Sequence, residues 1–163
     1  MKPYAGVGKQ AIDEEVGDLL LQRGIAYLKS GQLDAGKKDI SRVYDQAQTG
    51  QAFNGICWRL AIAEVQLETA LKSCDEALAK SAGHAAYNAS RGFVLLRMAR
   101  YVESIAEYDR ALTIDPTLSP SLYGRGIAKH RKGDKSGGDA DIEVALKAHP
   151  ELADEFDEYG VQP

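Results

Sequence analysis

The residues of this 163-residue chain whose types could support metal, nucleophilic or redox chemistry are three histidines and two cysteines. A metal centre or a catalytic triad needs such groups to converge within a few ångströms. His84 stands in the stretch SAGHAAYN, His130 near the end of a helical pattern, and His149 directly before Pro150. Positions so dispersed predict no catalytic residue, no metal and no cofactor. His130 falls on the face expected to bind a partner, where it reads either as a solvated histidine or as one whose protonation would tune binding with pH. The stretch GDKSGGDAD has glycines and a lysine but lacks the Gly-Lys-Ser order and the strand–loop–helix setting of a phosphate loop. It reads instead as a turn entering a helix, with Gly137 and Gly138 permitting close approach. Cys57 and Cys74 sit on helices expected to run antiparallel about a turn near residue 66, so that residues summing to about 132 face each other. Their numbers sum to 131, which makes a disulfide geometrically reasonable and would imply an oxidising compartment. The competing reading is two small core residues.

These residues must be positioned by a scaffold, and composition bounds what it is. The chain is long enough for one folded domain, is 44% hydrophobic and 27% charged, and carries a net charge of −4. That balance argues against a general nucleic-acid binder. No apolar run approaches the roughly 18 residues needed to span a membrane. The opening MKPYAGVGKQAIDEE shows no apolar stretch behind its basic residue. A cytoplasmic address is the default expectation, periplasmic if an export signal was removed.

The hydrophobic periodicity is helical throughout. In EEVGDLLLQRGIAYLKSG, Val16, Leu19, Leu20, Arg23, Ala26 and Tyr27 recur at three- and four-residue steps, and Gly31 supplies a C-terminal stop. YVESIAEYDRALTIDP repeats the pattern and closes on Pro116. Ser119 is expected as an N-cap with Pro120 at the first helical position. Helices are predicted over 10–30, 33–48, 51–65, 67–80, 84–98, 101–114, 119–132 and 135–148, with a short ninth after Pro150 that ends near Gly160.

A 34-residue clock runs through these helices. Arg-Gly stands at Arg23, Arg91 and Arg125, separated by two periods and then one. Gly36, Ala70, Ser104 and Gly138 share one register, and Ile40, Cys74, Tyr108 and Ile142 share another. Val43, Ala77, Ala111 and Ala145 follow, then Tyr44, Leu78, Leu112 and Leu146. Small residues let neighbouring helices approach while larger ones fill the seam, the signature of a stacked helical array. The beat missing at Cys57-Trp58 places an indole where the other units have glycine, which would overpack the seam. A three-residue slip of that helix is therefore expected, with Ala61 as its small residue, a shorter turn after it, and Trp58 facing the inner side; the alternative is that Trp58 is simply core.

ASRGFVLLRMARYVESIAEYDRALTIDP and YGRGIAKHRKGDKSGGDADIEVALKAHP resemble the tetratricopeptide repeat (TPR), and the chain is similar in general pattern to TPR proteins of alphaproteobacteria. The first two units depart more, with Val43 for an alanine and with Gln48 and Ala82 where proline is usual. The resemblance implies an all-α, right-handed α-solenoid of about four helix-turn-helix units, over roughly 10–48, 49–82, 83–116 and 117–149. Residues 1–9 would be an N-terminal arm, and 150–163 a capping helix and tail. PELADEFDEYGVQP carries five carboxylates and no basic residue. Its Leu152, Phe156 and Tyr159 are expected to cover the last repeat while the acids face water.

In such an array the first helices line a concave groove. The groove is predicted from Leu21, Ile25, Lys29, Trp58, Arg59, Phe93, Arg97, Tyr123, Ile127 and Arg131. Apolar anchors beside basic groups suit a peptide or helix of a partner protein with apolar and acidic side chains; the competing reading is that Phe93 and Tyr123 are partly buried packing residues and the arginines are solvated. One TPR subgroup clamps the C-terminal carboxylate of chaperones with Lys and Asn. The matching positions here hold Leu21, Ile25, Ile56, Ala86 and Gly124, so that clamp is absent. The expectation is a non-catalytic interaction scaffold. The alternatives are a self-assembling homo-oligomeric unit and a regulatory module of a larger enzyme or secretion complex.

Overall fold

The computed structural model describes residues 14–163, so the expected N-terminal arm lies outside the described residues. Among these the chain forms nine α-helices and no strand. They are α1 (Glu14–Lys29), α2 (Leu33–Gln46), α3 (Gly50–Ala63), α4 (Leu67–Lys80), α5 (Ala85–Arg97), α6 (Tyr101–Ile114), α7 (Ser119–Lys132), α8 (Lys135–Ala148) and α9 (Leu152–Glu158). α2, α4, α6 and α8 begin 34 residues apart at Leu33, Leu67, Tyr101 and Lys135. The turns before α2, α6 and α8 keep the same period, with left-handed backbone at Gly31 (φ 83°), Ala99 (φ 57°) and Gly133 (φ 102°), whereas the turn before α4 has it at Glu64 (φ 54°) and Gln66 (φ 45°). Local chemistry sets several ends. Thr49 accepts from the Ala52 amide at 3.1 Å at the start of α3, and Asp134 from that of Gly137 at 3.0 Å at the start of α8. Ser119 is the first helical residue of α7 rather than its cap, which is Leu118.

The described residues form two compact units, 14–47 and 48–163. In the first, α1 pairs with α2. A Cβ on Gly24 would lie 3.0 Å from Ile40 Cγ1, and one on Gly36 would lie 2.8 Å from the Gly24 carbonyl oxygen. The two backbones therefore approach as closely as glycine allows. Arg23 grips Asp39 through two hydrogen bonds of 2.7 and 2.9 Å, and these hold the Asp39 carboxyl below its usual range.

In the second unit α3 pairs with α4, α5 with α6 and α7 with α8, and the successive pairs pack on one another. The α5–α6 seam shows how the registers work. Tyr108 of α6 is 2% exposed and lies against Gly92, where an added Cβ would meet its ring at 3.1 Å. The same ring reaches α7, where a Cβ on Gly124 would fall 2.5 Å from its Cζ. One phenol thus wedges against two first helices, and burial raises its pKa far above the ordinary tyrosine value. Ser104 fills the small position and donates to the Gly92 carbonyl at 2.7 Å. Ile142 plays the wedge to Gly126, and Gly138 lies under the Gly126 carbonyl.

Each Arg-Gly arginine in this unit spans two pairs. Arg91 donates to Asp75 and to Glu107, 16 residues to either side, at 2.7 Å each. Arg125 does the same with Asp109 and Asp141, again at 2.7 Å. Lys129 joins Asp141 at 2.7 Å. Burial pushes the Asp141 carboxyl up, but Arg125 and Lys129 together outweigh it and hold its pKa below the usual value.

The missing beat is resolved differently from the sequence expectation. The turn between α3 and α4 is three residues, 64–66, the same length as 30–32 and 98–100, so no shortening occurs. Cys57 rather than Trp58 meets α4, joined to Cys74 with a Cα–Cα separation of 5.3 Å, and both cysteines are fully buried. The register that holds arginine elsewhere therefore holds Cys57, and the one that holds its acid (Asp39, Glu107, Asp141) holds Ser73. Ser73 bonds the Thr69 carbonyl at 2.8 Å. Both members of the ion pair are replaced together, which leaves no buried carboxylate without a partner.

Two outcomes are expected. Gly124→Ala should cost about 1–3 kcal/mol by overpacking Tyr108. Gly55→Ala, with nothing within 4 Å, should be neutral or stabilising by up to about 1 kcal/mol; urea unfolding of the two variants checks both. Asp141 has a folded-state pKa below its unfolded value of 3.8, so its stabilisation is present above that pH and is lost as pH falls through the folded value. Asp141→Asn should accordingly be less stable at neutral pH and show a shallower acid decline in its urea midpoint below about pH 4.

Candidate functional site

The predicted groove residues fall in both units. Leu21, Ile25 and Lys29 lie on α1 of the first, where Leu21 is buried, Ile25 half-buried and Lys29 exposed. The other seven lie in the second unit: Trp58 and Arg59 on α3, Phe93 and Arg97 on α5, and Tyr123, Ile127 and Arg131 on α7. Ile127 is fully buried, a core residue rather than part of a lining. Phe93 and Tyr123, at 1% and 3% exposure, are closed from solvent as well.

What covers them is the chain's own C-terminal segment. The Phe156 ring of α9 stands edge-on to Phe93 at 5.8 Å and to Tyr123 at 4.8 Å between centroids. The Tyr159 ring stands edge-on to Trp58 at 5.5 Å and to Phe93 at 6.0 Å. Trp58 in turn packs on Phe93 at 5.1 Å. The sequence pattern has this segment covering the last repeat; Phe156 does lie on Tyr123 of that repeat, on α7, and Phe156 and Tyr159 also reach side chains of α5 and α3. The physical reason is that those three helices present an aromatic face, and an edge-on ring contact adds about 0.5–1.5 kcal/mol beyond burial.

Polar contacts hold the segment at its C-terminal end. Arg97 donates to the Tyr159 carbonyl and to Glu64, the latter at 3.3 Å, and its guanidinium lies 5.4 Å from the Phe93 centroid. Its side chain is 6% exposed, and burial lowers its pKa. Arg131 donates to the Gln162 carbonyl at 3.0 Å. Tyr159 is pushed up to about 12 by burial and by its hydrogen bond to the Glu155 carboxylate. Burial also raises Tyr123, with the charge of Asp157 adding to it. Leu152 and Val161 are buried, while Asp154, Asp157 and Glu158 remain exposed.

The histidines stay apart. His84 precedes α5 and stacks on Tyr87 at 4.6 Å, and His149 follows α8 and meets Glu151 at 3.0 Å. His130 does not lie on the binding face as the sequence suggests. It packs toward α8, where Nε2 lies 2.8 Å from Asp139 and the ring occupies the space beside Gly138. Glycine at that register leaves room for an imidazole that alanine would exclude. Among the described residues no group of three His, Cys, Asp or Glu is placed to hold a metal ion, and no helix is long and apolar enough to cross a membrane.

Stacked helical pairs with a 34-residue period define a helical-repeat fold, and it is the TPR fold. Solved structures match it across most of their length. YrrB, a TPR protein described as having an unusual peptide-binding site, matches at 16% identity and a TM-score of 0.63 over 90% of this chain and 76% of that one. TTC0263, a TPR protein of Thermus thermophilus, matches at 15% identity and 0.62 over 88% and 86%. MamA of AMB-1 matches at 18% identity and 0.60 over 85% and 80%. No family model matches the chain, and no curated protein does.

Burial divides the predicted groove residues into two kinds. Phe93→Ala should lower stability by about 3–5 kcal/mol, as for a buried aromatic, whereas the exposed Arg131 replaced by alanine should change it by less than about 1 kcal/mol. Denaturant midpoints at neutral pH separate them.

Proposed function

We propose that this protein is a non-catalytic interaction scaffold that holds a peptide or helix of a partner protein on the face formed by α3, α5 and α7. The observation that carries this reading is that the face already grips a helix, through aromatic side chains at its centre and guanidinium groups on backbone carbonyls at its end. Buried aromatics and arginine are the residue types that supply most binding energy at protein interfaces. Carbonyl capture by arginine holds a peptide backbone whatever its sequence, and the ring pockets select its side chains. The acidic segment now on the face supports a partner with apolar anchors and carboxylates. The peptide-binding site reported for YrrB is consistent with this role. A Cys57–Cys74 bond favours an oxidising compartment such as the periplasm.

Placing p-benzoylphenylalanine at Arg59 or at Arg131, and as a control at the exposed Val144 on α8, tests the reading by photo-cross-linking in the native source. The same protein should be captured from Arg59 and Arg131 and not from Val144. Capture from Val144 alone would place the working surface elsewhere.

A further inference from the structure

The scaffold reading leaves open what occupies the face when a partner arrives, and the C-terminal segment supplies a template. Resting on that reading, we propose that residues 151–163 are a resident pseudo-ligand, and that the partner is an acidic segment repeating its Phe-x-x-Tyr-x-Val pattern at the end of a short helix, which binds by displacing it.

Three features carry this beyond ordinary packing. First, the segment engages side chains of three first helices in succession, as an extended ligand would: Tyr159 on Trp58 of α3, Phe156 on Phe93 of α5 and on Tyr123 of α7. Second, Arg97 and Arg131 hold it through the main-chain carbonyls of Tyr159 and Gln162. Any chain of the same path can satisfy those contacts, so the arginines do not distinguish self from partner. Third, residues 151–163 carry five carboxylates and no Lys or Arg, so the occupant this face already accepts is an acidic one. α9 itself is seven residues long, too short to stay helical unsupported. Its order therefore depends on the face, and losing the face should melt it. Residues 149–151 tether it to α8, so it competes at a high effective concentration and weakens any partner segment in proportion.

The tail peptide in trans is the probe. A fluorescein-labelled peptide PELADEFDEYGVQP is titrated by polarisation into the full chain and into Phe156→Ala/Tyr159→Ala, with helicity checked by circular dichroism. The variant should bind about tenfold or more tightly than wild type once the internal competitor is weakened. A peptide carrying the same two alanines should not bind. The chain's one tryptophan is Trp58, so its emission should shift as Tyr159 leaves and recover as the peptide replaces it. Equal affinity for wild type and variant, or no binding to a folded variant, would overturn the proposal.

Should the variant fold poorly, hydrogen exchange on nitrogen-15-labelled wild type answers the same question. Excess peptide should deprotect residues 152–161 of the chain and leave residues 85–97 protected, and unchanged protection of the tail would sink the idea. A partner cross-linked from Arg59 and Arg131 that leaves the tail protected would refute displacement while the scaffold reading stands. Cross-links from Val144 alone would refute the scaffold reading whatever the peptide does.

Discussion

The second unit depends on how close its helices can come, and Tyr108 shows the constraint most plainly. Its ring fills space on two sides, against the bare backbones at Gly92 and Gly124. A side chain at either glycine would have to push the phenol or the helix away, and a smaller residue than tyrosine would leave a void that the glycines could not fill. The wedge and the gaps are therefore one feature, split between α6 on one side and α5 and α7 on the other. Ile40 against Gly24, and Ile142 against Gly126, repeat it on a smaller scale.

Once backbones are this close, charge can be placed with little freedom. Arg91 and Arg125 each reach carboxylates 16 residues before and 16 after, because the helix preceding each arginine and the helix following it are held at matched distances. Partly buried pairs of this sort contribute only modest net stability, but they penalise other registers strongly, since a slip would leave Glu107 or Asp141 without a cation. At the α3–α4 pair the chain takes another route. An indole at the glycine register leaves no room for a wedge, so Cys57 and Cys74 join the helices and Trp58 packs toward α5.

That substitution bears on function. With Trp58 on the α5 side, α3 adds a third aromatic position to Phe93 and Tyr123, and the face becomes wide enough to hold Phe156 and Tyr159 together. The irregular repeat is thus the one that contributes the indole contact with Tyr159. Arginines at the edge of the aromatic cluster take the carbonyls that a chain emerging from α9 leaves without intrahelical partners, as helix C-termini do.

Much of this was legible in the residues alone. The 34-residue clock, the small and large registers and the closing Gly31, Pro116 and Pro150 determined the helices and their pairing, because helix period and turn chemistry are local properties. The helices expected at 67–80, 101–114, 119–132 and 135–148 are those observed. The acids at Asp75, Glu107, Asp109 and Asp141 stand 16 residues from arginine, a signal in the residues that the apolar periodicity passed over. Tertiary structure alone decided the rest. Which side of α3 meets α4, where His130 turns, and above all where Leu152, Phe156 and Tyr159 dock depend on competition among surfaces distant in sequence. A short amphipathic segment reads the same whether it covers the last repeat alone or also reaches the first helices before it. The choice falls to whichever face offers edge-on rings and guanidinium donors, and that face exists only once α3, α5 and α7 stand side by side.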